Sequence, residues 1–122
     1  MPSRLGLFQE RLIGRDSFPQ SRAGEFRDMP QSELLQAAHN TRLVARRIQA
    51  EYRYGIAHGQ SLRDVLAVFD TGWFSCDHGW RDIFRGLARH GPQHDALRKA
   101  ALTTYLRYLN SRYEFLMRLA QR

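Results

Sequence analysis

Apolar residues recur every three or four positions along most of the chain and nowhere alternate, so the pattern predicts helices and no strands. From about Pro30 to His58, Leu34, Ala38, Thr41, Ala45, Ile48, Tyr52 and Ile56 fall on one stripe of a 3.6-residue wheel. A thinner stripe of Leu43, Ala50 and Tyr54 lies nearly opposite. A helix that is apolar on two sides touches two things, and the second is expected to be the N-terminal arm or another protein. Asp28 followed three residues later by Gln31 resembles a capping box at the start of this helix, and Gly59 suits its end.

Ser61 with Asp64 forms an acidic variant of the capping box, opening a short helix through Asp70 that Thr71-Gly72 closes. A third helix is expected from about Asp77 to His90, with Trp80, Ile83, Phe84 and Leu87 facing inward. The sequence His90-Gly91-Pro92 stops it. Asp95 then sits in the first turn of a last helix that continues to the end of the sequence, where its charge suits the helix dipole. That helix has a wide apolar arc. Leu97, Ala101, Tyr105, Tyr108, Phe115 and Leu119 occupy one side, and Leu102, Leu106, Leu109, Tyr113 and Leu116 extend it to about half the circumference. Such a helix is either central in a bundle or half-covered by a second chain, so homodimerisation is one expectation.

Residues 1–30 hold a short apolar run and then a stretch punctuated by Gly, Ser and Pro. They read as an extended arm, with a short helix near residues 4–13 and with Phe8, Phe18 and Phe26 as anchors. The expected fold is all-α: a small bundle of two long and two short helices over residues 31–122, preceded by that arm.

Composition changes this picture little. A chain of 122 residues with 43% hydrophobic and 25% charged residues suits one ordinary globular domain. No apolar run approaches a membrane span, and the basic N-terminus lacks the apolar core of a secretion signal. A single cysteine, Cys76, excludes an internal disulfide and a multi-cysteine metal site, and makes a reducing, cytoplasmic setting the expectation. Charge is more informative. The net charge is +7, and all the basic residues but Lys99 are arginine, a residue that grips carboxylates and phosphates bidentately. The surplus is concentrated in residues 92–122, with six basic residues against two acidic ones. The plainer explanation of the bias is an arginine-favouring genome.

No arrangement for catalysis is visible. The sequence has no phosphate-cradling glycine loop, no nucleophile elbow and no Glu-x-x-His pair. His39, His58, His78, His90 and His94 are scattered, and Cys76, His78 and Asp82 have no second cluster to complete a zinc site. The expectation is therefore a non-enzymatic chain with no cofactor and no metal.

The candidate partner-binding residues fall in four groups. Arg81, Arg85 and Arg89 line one face of the third helix, to grip phosphates or an acidic surface, or simply to be solvated. Trp73 and Phe74 lie in an aromatic-rich turn that could be an interaction hot spot or core filling. Arg98 and Arg112 fall inside the apolar arc of the last helix, where they either snorkel to water or mark a partner-facing seam. Arg46 and Arg47 flank the thin stripe that ends at Tyr54. Together they predict an accessory, adaptor or inhibitory module for a partner protein with an acidic surface. The other expectation is a nucleic-acid-binding helical protein using the Arg81/Arg85/Arg89 face and the basic last helix.

Overall fold

A computed structural model describes residues 12–67, 78–89 and 94–122. Among the described residues the chain is helical and without strands. A 3₁₀ helix, Gln20–Glu25, precedes α1 (Gln31–Ala57), α2 (Leu62–Ala67), α3 (His78–Ala88) and α4 (Asp95–Ala120). The all-α bundle with two long and two short helices is therefore what the chain forms.

The two long helices lie against one another along their length. Gln31 Nε2, at the start of α1, donates to the carbonyl of Ala120 at 2.7 Å, at the end of α4, so the pair runs antiparallel. This contact replaces the expected Asp28–Gln31 capping box. Pro30 is the N-cap and carries no side-chain cap bond, which leaves Asp28 two residues too early to reach the first turn. Gln31 instead satisfies an orphan carbonyl of α4.

The C-terminus of α1 closes as expected. Gly59 takes φ +72°, and the amides of Gly59 and Gln60 donate back to the carbonyls of Ile56 (3.2 Å) and Gly55 (2.9 Å). Ser61 Oγ then accepts the amide of Asp64 at 3.1 Å, the N-terminal cap expected of α2.

The inner stripe of α1 differs from the pattern in one informative place. Leu34, Ala38, Thr41 and Ile48 are buried, and Ala45 and Tyr52 half-buried, but the last inward position is Gly55 rather than Ile56, which is exposed. The buried positions step by three and four through 48, 52 and 55, so Gly55 continues the heptad. A glycine gives no hydrophobic signal, and on a helical wheel the neighbouring isoleucine takes its place. Its missing side chain is what lets α1 approach α2, since a Cβ there would collide with the side chain of Val65.

Helix α4 is the centre of the molecule. Leu97, Ala101, Leu102, Tyr105, Tyr108, Leu109 and Leu116 are all buried against α1, α2, α3 and the arm. From α3, Trp80, Ile83, Phe84 and Leu87 point inward as predicted, with the Trp80 ring 4.9 Å from that of Tyr105. Each fully buried large side chain contributes about 1.5–3 kcal/mol of transfer free energy.

The arm departs from the expected extended form. Pro19 supplies a pre-set φ of −72°, and residues 20–25 wind into the 3₁₀ helix, with Arg22 and Phe26 amides bonded to the carbonyls of Pro19 and Ala23. Local i to i+3 bonds satisfy a backbone that has no neighbouring strand to pair with. Phe18 and Phe26 are buried anchors as expected; their rings lie 5.0 and 6.4 Å from that of Phe115 on α4. Residues 1–11, including Phe8 and most of the expected first helix, lie outside the described residues, as do the end expected for the second helix and the turn after it.

Replacing Gly55 with alanine should lower stability by about 1–3 kcal/mol in chemical denaturation, because the added methyl overlaps Val65. Val65→Ala in the same chain should recover part of that loss. Strictly additive losses would show that the two helices do not meet there. Gly59→Ala should cost about 1 kcal/mol for a different reason, since its positive φ, not space, is the constraint.

Candidate protein-interaction surface

The two arginines within the apolar arc of α4 are both engaged inside the chain, Arg98 by hydrogen bonds and Arg112 by aromatic rings. Arg98 is fully buried. Its Nε and Nη2 donate to the carbonyl of Leu87 at 3.0 and 2.6 Å, and its Nη1 to Asp95 Oδ1 at 2.7 Å. Leu87 lies in the last turn of α3, where carbonyls lack helical partners and the helix dipole is negative. Arg98 therefore neither snorkels nor faces a partner; it caps one helix from the first turn of the next. Arg63 of α2 adds a second cap, its Nε donating to the carbonyl of Ala88 at 2.8 Å.

Arg112 is half-buried beneath the arm. Its guanidinium lies 5.5 Å from the centroid of Phe26 and 5.9 Å from that of Phe18, within cation–π range. Its Nε is buried without a hydrogen-bond partner, so ring faces take the place of an acceptor. The neighbouring Ser111 Oγ accepts the amide of Phe18 at 2.9 Å. The seam expected at Arg98 and Arg112 is thus internal, between α4 and α3 at one end and between α4 and the arm at the other. With α1 on its other side, α4 does not need a second copy of the chain to bury its arc.

The arginines of α3 do not form a uniform row. Arg85 and Arg89 are exposed, whereas Arg81 is half-buried with its Nε enclosed and without a hydrogen-bond partner. Trp73 and Phe74 lie outside the described residues.

The outer side of α1 matches the sequence pattern closely. Leu43, Ala50 and Tyr54 are exposed, and Tyr54 is stacked on His58 with ring centroids 3.9 Å apart. The His58 ring also bonds through Nδ1 to the Tyr54 carbonyl at 2.8 Å, which holds the pair at the helix end. Arg46 and Arg47 are exposed on either flank of this strip. The described part of the arm packs on α4 instead, so the second contact expected for this stripe is not supplied by residues 12–30.

On the Arg46 flank a cleft opens between α1 and α4. Arg42, Arg46 and Arg53 stand along the α1 side, and Lys99 along the α4 side, over half-buried Ala45, Tyr52 and Leu106. Of these cations only Arg46 stood out from the sequence. Arg42, Arg46, Gln49 and Arg53 do recur at i, i+4, i+7 and i+11, a signal for a shared helix side. That they border a cleft depends on where α4 lies.

No group of three or more His, Cys, Asp or Glu converges among the described residues. No helix described is long and apolar enough to cross a membrane. The architecture is that of a small helical bundle organised around one central helix, with its described candidate surface on α1. The chain matches no known protein family, and no curated protein or solved structure is significantly similar to it.

Arg98→Met should lower stability by about 2–3 kcal/mol, because it leaves the buried Leu87 carbonyl without donors. The loss should change little with added salt. Asp95→Asn should cost less than about 1 kcal/mol, since that carboxylate is 44% exposed. Comparable losses from the two substitutions would assign the stabilisation to the ion pair rather than the carbonyl cap. Ser111→Ala should speed hydrogen exchange of the Phe18 amide while barely shifting global unfolding.

Proposed function

We propose that this chain is a non-enzymatic protein-binding module, an accessory, adaptor or inhibitory subunit that engages a partner with an acidic surface. The carrying observation is the outer side of α1, where exposed Leu43 and Tyr54 lie between exposed Arg46 and Arg47. Apolar residues rimmed by arginine are the composition of an interface core and its border. Arginine also matches carboxylates with paired donors at little loss of preorganisation. The net charge of +7 steers acidic partners toward the chain and repels basic ones.

Nucleic acid is the competing partner class, supported by the same charge and by exposed Arg85 and Arg89 on α3. The α1 strip favours protein. Its apolar residues are two aliphatic or small side chains and one tyrosine already stacked on His58, which is a poor platform for successive bases.

The test is affinity capture by the purified chain from host extract at low salt, with Arg46→Glu/Arg47→Glu as the control. An acidic protein should be retained by the native sequence and reduced at least about tenfold by the double reversal. Retention unchanged by the reversal would overturn the reading. So would recovery of nucleic acid alone, with binding that falls steeply as salt rises.

A further inference from the structure

We infer that the cleft between α1 and α4 is the docking groove for one acidic, amphipathic helix of a partner protein. This rests on the reading of the chain as a protein-binding module and adds to the outer α1 strip an adjoining seat, on its Arg46 flank, with a stated ligand chemistry. The groove consists of two adjoining hollows of about 360 and 230 Å³ that share Gln49 and Leu106. Between Arg42 and Arg53 it follows α1 for about 16 Å, three helical turns. Along α1 the two linings are centred roughly 9 Å apart, close to the separation of residues i and i+7 on a docked helix. Beneath polar rims the hollows are floored by Ala45, Leu106 and Leu109 and by Tyr52, Leu102 and Leu106, so the occupant that spans both carries two apolar anchors two turns apart, the one at the Arg42/Arg46 end closely flanked by polar groups.

Charge fixes the rest of the occupant. Arg42, Arg46, Arg53 and Lys99 border the groove, and no acidic residue lines it. Among the described residues none of the four has a carboxylate within ion-pair distance. Glu114, next to the lining residue Tyr113 at the groove's end, accepts from Asn110 Nδ2 at 3.4 Å and makes no ion pair with the four cations. Arg42 is held in place, its Nη1 donating to the Tyr113 hydroxyl at 2.8 Å with the guanidinium 4.5 Å from that ring's centroid. Its remaining donors are presented without further ordering, which is the form of preorganisation that favours affinity. Carboxylates flanking the apolar anchors of an incoming helix would meet cations on both sides.

Other occupants fit less well. A second copy seated here would bring the same four cations face to face. Residues 1–11 carry two arginines and one glutamate and lack the required charge. A nucleic-acid backbone would match the cations, but the groove offers successive bases only two rings, Tyr52 and Tyr113, and the Tyr113 ring is already covered by the Arg42 guanidinium.

The test uses the 122-residue chain and a fluorescein-labelled peptide of about 14 residues, four helical turns, with leucines at i and i+7 flanked by glutamates. An isomer of identical composition carries the leucines on opposite faces, and a single-stranded oligonucleotide is the third probe. By fluorescence anisotropy the amphipathic peptide should bind at least about tenfold more tightly than its isomer. Arg46→Glu/Arg53→Glu should weaken it at least about tenfold with the thermal unfolding curve unchanged, and a peptide with lysines replacing the glutamates should regain binding to that variant. Equal binding of both isomers would overturn the groove, as would binding that survives the reversal or an oligonucleotide that outcompetes the peptide. If neither peptide binds while Arg46→Glu/Arg47→Glu still abolishes capture from extract, the groove is wrong and the outer α1 strip is the interface. Loss of both results would overturn the protein-binding reading itself.

Discussion

Half the circumference of α4 is apolar, and a helix of that kind has to be surrounded before anything else about the fold can settle. Four elements surround it, with α1 along one side, the short α2–α3 pair along another, and the arm with Phe18 and Phe26 along the remainder. With α4 at the centre, the chain buries most of its large side chains against one element instead of building a second layer. For a domain of this size that is an efficient way to close a core, because each buried ring contacts several helices at once.

The arginines follow from the same arrangement. A central helix whose arc is apolar but interrupted by Arg98 and Arg112 must find acceptors for both, or hold buried cations at a large cost in free energy. Arg98 meets that requirement with the last carbonyls of α3, which need donors for their own reasons. Arg112 meets it with the rings of the arm. One charge fixes the angle between two helices and the other holds the arm in place. Arg98 contributes nothing to the outer surface and Arg112, half-buried, is largely turned toward the arm, although both looked like interface residues in one dimension.

What remains for recognition is the part of the molecule that α4 does not organise. The outer strip of α1 and the cleft beside it combine exposed or half-buried apolar side chains with arginines, and Arg46 belongs to both. Such a surface is distinguished by its pattern rather than its total charge, since apolar anchors set register while the cations set which partners approach. The concentration of basic residues in α4 matters less than its number suggests: Arg98 is consumed internally and Arg112 is half-buried beneath the arm.

The helices, their order and most of their ends were legible in the linear chain, because hydrophobic period, Gly59 and Ser61 act through neighbours three or four residues away. So were the inward side of α3 and the exposed strip on α1. Which α1 position follows Tyr52 inward was not, since Gly55 has no side chain to announce itself and matters through Val65. The fate of Arg98 and Arg112 also depended on packing, because a wheel shows that a cation sits in an apolar arc but not which carbonyl or ring waits opposite. The cleft likewise required two helices far apart in sequence, so Arg53 and Lys99 became neighbours across it only once α4 had been laid against α1.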